Sequence, residues 1–487
     1  MTDTQRRQGA SGAFGWSVLN TVLSRVGTLG IGIVLARVLG PESFGTFAVA
    51  LVALMAVLSF NELGVSLAIV RWPGNPAKIV PTVNTISVVG SAVFCGAAVL
   101  AAPVFTAAVG DPEATDVIRI LIISVFINGV VASPAALLQR NFREKTRMGI
   151  DQVNVWVGAA VSLALAFAGV GAMALAVGRI AGGLVAAVMF LRASPLPYRF
   201  GLDRDYLMPL LRFGLPLAGT STIFFAIGYA DQLTAGILLG TTGLGFYVLA
   251  FNLSSWPVSI LAQPLRRVAP AAFSALQHDP SGLNGTLGAI YSVLLCAALP
   301  PMIFLAASSE PLINLIYGTA WLPAAAVLSW LVVAAFVKII CDLAYDFLVV
   351  LGRSGTVFMI QAGSLVVLIP ALISGALLFG LAGLAAAQAL VTGLVVLPCY
   401  LRRLHRNGVS FEVFARATWL PLLAALPVGA LSLGFAHWIA VPFWALVAGG
   451  STAVVVTSGL LWLRRDALKA LRALGAPAAT TEVELVP

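Results

Sequence analysis

The chain has 487 residues, of which 60% are hydrophobic and 10% charged, with a formal net charge of +9. Water-soluble domains carry about 25% charged residues, so this composition excludes an ordinary soluble fold and points to a lipid bilayer. A basic balance of this kind says nothing about nucleic acid until its placement along the chain is known.

Apolar runs of about 18 residues or more can each cross a hydrocarbon core ~30 Å thick as a helix. In chain order they fall near 13–36, 44–70, 82–109, 115–138, 150–168, 170–191, 209–239, 243–265, 285–308, 321–350, 354–377, 380–401, 418–438 and 441–463. They are continuously apolar, without the period-two alternation of barrel strands. The predicted fold class is therefore an all-α polytopic membrane protein with about fourteen transmembrane helices. The N-terminal stretch "MTDTQRRQGASG" shows no short apolar segment with a small-residue cleavage site, so the first helix is expected to be retained. The tail from about Asp466, ending "APAATTEVELVP", has no apolar run and is expected to be peripheral.

The basic residues alternate between the two faces of this predicted array. Tails and alternate loops carry Arg6, Arg7, Arg71, Lys78, the cluster Arg140, Arg143, Lys145 and Arg147, then Arg192, Arg199, Arg204 and Arg212. The series continues with Arg266, Arg267, Arg353, the cluster Arg402, Arg403, Arg406 and Arg416, and finally Arg464, Arg465, Lys469 and Arg472. The opposite loops, "GDPEATD", "AGVG", "LGTTG", "SSEPLINLIYGTAWLP" and "FGLAG", hold no basic residue. The positive-inside rule then places both termini in the cytoplasm. Adding or dropping one helix would break the alternation, which supports the count. Cys95, Cys296, Cys341 and Cys399 all lie in apolar segments with no metal-ligand spacing and are expected to pack as inert residues.

The stretch "LARVLGPESFGTFAVA" returns two hundred residues later as "AGILLGTTGLGFYVLA", pairing Leu39 with Leu239, Gly40 with Gly240, Gly45 with Gly245 and Ala50 with Ala250. Six helices separate the copies, an even number that preserves orientation. A parallel internal repeat follows: two six-helix lobes about an axis along the membrane normal, with a central cavity between them. The predicted division is a cytoplasmic tail at 1–12, an N-lobe at 13–192, a cytoplasmic linker at 193–208, a C-lobe at 209–405, two further helices within 406–463 and a cytoplasmic tail at 464–487.

Four segments, "IVLARVLGPESFGTFAVA", "NELGVSLAIVR", "YADQLTAGILLGTTGLGFYVLAFNLSSWP" and "PLRRVAPAAFSALQHD", give the chain a family likeness. It resembles the polysaccharide-transporter branch of the multidrug/oligosaccharidyl-lipid/polysaccharide flippase superfamily, closest to bacterial exporters of O-antigen, colanic-acid or teichuronic-acid type repeat units. The likeness covers most of 13–405, and beyond about 285 it is mainly one of hydropathy. It implies movement of a polyprenyl-pyrophosphate-linked oligosaccharide from the inner to the outer leaflet of a bacterial cytoplasmic membrane, through a lumen between the lobes. Membrane lipids, a polysaccharide polymerase and glycosyltransferases are the implied partners.

Five basic residues lie inside predicted helices: Arg25, Arg37, Arg119, Arg179 and Lys338. Arg37 and Arg119 are near helix ends, where their stems can reach the headgroups. A basic side chain at a helix centre costs about 2.5–3.5 kcal/mol on insertion scales, so Arg25, Arg179 and Lys338 should face the bundle interior or an aqueous cavity. Guanidinium matches phosphate oxygens with a planar fork of donors, and the family likeness puts the first and seventh helices beside the lumen. Arg25 is thus the first candidate for the pyrophosphate, with Arg179 next; the alternative for each is a structural pair with an interior acid. Glu62, Asp231, Asp342 and Asp346 are the acids available. Positions 338, 342 and 346 share one helical stripe, so Lys338 can pair with Asp342. Such carboxylates in a low-dielectric cavity can also carry a coupling proton, and Tyr345 with Asp346 can bind sugar hydroxyls.

No Ser/His/Asp cluster, Walker loop or metal motif is present, so neither enzymatic chemistry nor a cofactor is expected. Energy would come from an ion gradient, the substrate gradient or a partner. A peptidoglycan-precursor flippase, which also has fourteen helices, is the alternative function. A twelve-helix multidrug exporter fits the count less well, and a membrane glycosyltransferase or polymerase would need a larger external loop.

Overall fold

The computed structural model describes the backbone of residues 3–61, 65–275 and 280–467, and the side chains of these apart from 3–29, 61, 217, 220 and 259–283. Among the described residues every regular element is helical. In chain order they are α1 (Asp3–Asn61), α2 (Val65–Arg71), α3 (Val80–Val109), α4 (Ala114–Arg140), α5 (Glu144–Phe167), α6 (Met173–Ala193), α7 (Arg204–Ala275), α8 (Pro280–Ala307), α9 (Ser309–Tyr317), α10 (Pro323–Val350), α11 (Ser354–Val391), α12 (Leu397–Arg406), α13 (Phe411–Trp438) and α14 (Pro442–Leu463).

Eleven helical runs among these residues are long and apolar enough to cross a membrane. Three of them are broken by one glycine each: Gly40 (φ 72°, ψ 174°), Gly240 (φ 73°, ψ −178°) and Gly380 (φ 60°, ψ −140°). This backbone region is open almost solely to glycine, so each break divides its run in two and the fourteen predicted passes are recovered. The expected turns "LGTTG" and "FGLAG" are thus single-residue breaks with helix on both sides. The expected loop "SSEPLINLIYGTAWLP" is also mostly helical, forming α9 and a short 3-10 turn at Thr319–Trp321. Its apolar side packs inward: Tyr317 stacks at a tilt on the buried Trp321, which meets Phe246 edge-on.

The chain forms two compact units, Met1–Gly245 and Phe246–Pro487. In the first, α4 is central and packs on α1, α2, α3, α5 and α6. Its contacts are built from small residues, as expected where lipid removes the hydrophobic drive between helices. A methyl group added to Gly129 would meet Ser91 of α3, and one added to Gly182 would meet the backbone of Asn154 across the α5–α6 crossing. Outward faces stay apolar; Leu100 is 81% exposed.

The predicted linker is an ordered strap. Asn84 donates to the Arg199 carbonyl at 2.8 Å, Thr85 donates to that of Gly201 at 2.8 Å, and Asp203 N–H donates to the Thr82 hydroxyl at 3.2 Å. Beneath it lies an apolar cluster of Val65, Ile69, Ile79, Val83, Leu137 and Leu210, with Trp72 and Tyr206 edge to face over it. Arg140, counted above only as a loop charge, donates to the carbonyls of Ile69 (2.7 Å), Trp72 (2.8 Å) and Gly74 (3.1 Å) and so caps the C-terminus of α2.

In the second unit α10 is central, touching α8, α9, α11 and α12, while α13 and α14 pack on α8 and on each other.

Candidate functional site

One polar group of the first unit is carried by α6 and α7. Arg179 sits nearly two turns into α6, directly after the buried Gly178. It is exposed, and among the described residues no carboxylate pairs with it. Tyr229 of α7 lies within electrostatic range of it, with its ring stacked on Phe225 at 5.0 Å. Asp231, two residues on, is 4% exposed and accepts from the Gln232 N–H at 2.8 Å. Arg179, Tyr229 and Asp231 thus form one neighbourhood on α6 and α7 in which a guanidinium fork, a phenol and a carboxylate come together.

The second group belongs to α10. Ile339, Ile340, Cys341, Leu343, Ala344, Phe347 and Leu348 are buried, whereas Lys338, Asp342, Tyr345 and Asp346 are not, so the four predicted residues line the less buried stripe of the same helix. Lys338 Nζ stands 3.3 Å from Asp342 Oδ1, with side chains 64% and 19% exposed. This is the i,i+4 pair expected from the spacing. Behind the stripe, Tyr400 of α12 accepts from Gln361 Nε2 of α11 at 3.3 Å, and Tyr291 of α8 donates to the Ile340 carbonyl at 2.9 Å. These three polar residues were not singled out above; a lone amide or phenol inside an apolar helix is the signal that marks them.

Arg25 lies within α1 but its side chain is outside the described residues, and Glu62 is outside them altogether. Arg119 pairs with Asp116 at 3.3 Å at the start of α4, a surface role. Among the described residues no group of three or more His, Cys, Asp or Glu could hold a metal ion, and Cys95, Cys296, Cys341 and Cys399 are free thiols. Both polar groups offer charges and hydroxyls to a ligand, and neither contains a nucleophile held by a base.

Comparison with known proteins gives these groups a context. The profile of the family described as Polysaccharide biosynthesis protein matches residues 34–326, more than half of the chain. The succinoglycan biosynthesis transport protein of Rhizobium meliloti is 26% identical over 88% of this chain and 84% of its own length. The lipopolysaccharide biosynthesis protein WzxC of Escherichia coli is 24% identical over 87% and 86%. Among solved structures, the lipid II flippase MurJ in an inward closed conformation superposes with a TM-score of 0.75 at 14% identity, covering 93% of this chain and 99% of MurJ. An inward-facing multidrug resistance transporter of the MATE family gives 0.60 at 16% identity over 78% and 93%. At such identities the structural matches speak for the fold.

Proposed function

This chain belongs to the family of polysaccharide biosynthesis proteins, and from that premise we propose that it is a flippase moving polyprenyl-pyrophosphate-linked oligosaccharide repeat units across the bacterial cytoplasmic membrane. The observation that carries this is the near full-length alignment with a transport protein of succinoglycan biosynthesis. The two polar groups fit such a cargo. A cation in contact with lipid is costly, so the exposed faces of Arg179 and Lys338 are assigned to a water-filled lumen. There Arg179, and Arg25 on α1, would hold the pyrophosphate, while Tyr345 would meet sugar hydroxyls. Asp231, Asp342, Asp346 and Glu62 would carry a coupling ion.

Alternating access by two lobes, 13–192 and 209–405, is part of the proposal; the matching backbone at Gly40 and Gly240 supports a duplicated origin. The basic loops support cytoplasmic termini, which reporter fusions to each end would test. A polymerase and glycosyltransferases would act on the cargo before and after it crosses.

The test is expression in a bacterium whose own repeat-unit exporter has been deleted, with surface polymer as the readout. Restored polymer supports the proposal. Export of peptidoglycan precursor instead, in cells depleted of their lipid II flippase, would favour the second reading, to which the MurJ-like fold lends weight. In the restored strain Arg25→Ala and Arg179→Ala should abolish export at normal protein abundance, and each lysine variant should recover only part, because a point charge cannot reproduce the bidentate fork. Full export by both alanine variants would remove these residues from the site.

A further inference from the structure

We propose that the turn joining α12 to α13 binds the headgroup of an anionic glycerophospholipid of the surrounding bilayer. A groove of about 520 Å³ opens there, lined by Pro398, Leu401, Arg402, His405, Arg406 and Phe411. Its composition is divided: three cationic or polar side chains come from the last turns of α12, and the remaining wall is apolar. Arg402 and Arg406 stand one helical turn apart on the same face, so their like charges repel. Among the described residues no carboxylate pairs with either. The nearest acid in sequence, Glu412, is engaged by Arg416 one turn along α13. An anion seated between the two guanidinium groups would remove the repulsion and meet two planar forks of donors.

His405 is held in place. Its ring stacks on Phe411 with centroids 4.4 Å apart and planes 22° apart, and Nδ1 lies 3.3 Å from the Val409 carbonyl. Nε2 is then the ring atom left for a ligand. Ser410 caps α13 by accepting from the Glu412 N–H at 3.2 Å, so the positive end of that helix dipole adds to the field at the same turn.

Free phosphate would satisfy the cations equally well, but it would leave Pro398, Leu401 and Phe411 unused. A phosphodiester with glycerol and acyl carbons attached covers both parts of the groove. The location agrees, because α12 ends a membrane-spanning run at Arg406 and the turn follows at once, at the depth where lipid phosphates lie.

The test uses the full chain purified in detergent, with retention of phosphatidylglycerol against phosphatidylcholine measured by native mass spectrometry. The wild type should retain phosphatidylglycerol selectively. Losing the charge-assisted hydrogen bonds that one arginine makes to the seated phosphate costs about tenfold in affinity, so Arg402→Gln/Arg406→Gln should weaken retention roughly a hundredfold. The paired control Arg143→Gln/Arg147→Gln, on the α4–α5 turn, should leave it unchanged. Size-exclusion profiles and melting in phosphatidylcholine show whether each variant is folded; if the double variant is not, Arg402→Gln and Arg406→Gln singly carry the comparison. Three results overturn the proposal: undiminished retention by the variants, equal loss in the control, or displacement of the lipid by millimolar inorganic phosphate. The readout is lipid retention, so it does not depend on the transport reading.

Discussion

Substituting Gly45 by alanine tests the packing of the duplicated motif directly. In the first unit the two copies cross backbone to backbone. A methyl group on Gly45 would fall on the carbonyl of Thr241, and one on Gly245 would come within 2.7 Å of the Pro41 oxygen and 3.0 Å of the Gly45 Cα. Main-chain atoms cannot move aside by changing rotamer, so the helices themselves must separate. Overpacking of this kind costs about 1–3 kcal/mol, a factor of roughly 5 to 150 in the population of the packed state. Gly32→Ala is the matched control, since a methyl group there has no neighbour within 4 Å. Melting of the purified protein, followed by fluorescence-detected size exclusion, should drop by several degrees for Gly45→Ala and Gly245→Ala and stay put for Gly32→Ala. If Gly45→Ala melts with the wild type, or if the control falls equally, the crossing does not have the closeness argued here.

Phe142, 92% exposed, occupies with φ 54° the left-handed position after α4, and Gly352 occupies the matching position after α10 with the same pair of closing hydrogen bonds. Phe142→Gly should therefore raise stability by about 1 kcal/mol through relief of backbone strain; a lower melting temperature would contradict this. Arg140→Met strands the carbonyls at the end of α2 and should destabilise by about 2–3 kcal/mol, read as reduced abundance of folded protein, with Arg140→Lys recovering only part. Burial pushes the phenol of Tyr317 up to about 12 from its ordinary 10. The native chain then keeps this proton longer than the unfolded chain, so its contribution is intact below pH 10 and is lost as pH rises from about 10 toward 12, by about 2–3 kcal/mol in all. Tyr317→Phe should abolish that share of the alkaline loss in melting experiments; an unchanged pH profile would refute it.

Much of the architecture was legible because the bilayer makes the code simple. A backbone in hydrocarbon must satisfy its own hydrogen bonds, so apolar run length alone yields the helices, and α3, α4, α6 and α14 lie within a few residues of their expected limits. The Lys338–Asp342 pair was equally legible, because i,i+4 spacing on one helix determines the contact without reference to the rest of the fold. The repeated "LG" likewise announced two equivalent glycines, and both adopt the same backbone conformation.

What required the tertiary structure are contacts between residues distant in the chain. Arg140 reads as one more cytoplasmic charge until α2 is seen ending 2.7 Å from it. The strap at 194–203 reads as a linker until Thr82, Asn84 and Thr85 are found holding it. Gly45 reads as a turn residue, although its role comes from Thr241 lying against it. The sequence by itself determined the membrane class, the helix count and the pairs within single helices, since these depend on hydropathy and on local periodicity. Only the folded chain decided which face of α6 presents Arg179, which carbonyls Arg140 caps and where two backbones touch, because these depend on how helices rotate and cross, and close packing between small residues leaves no periodic trace in the chain.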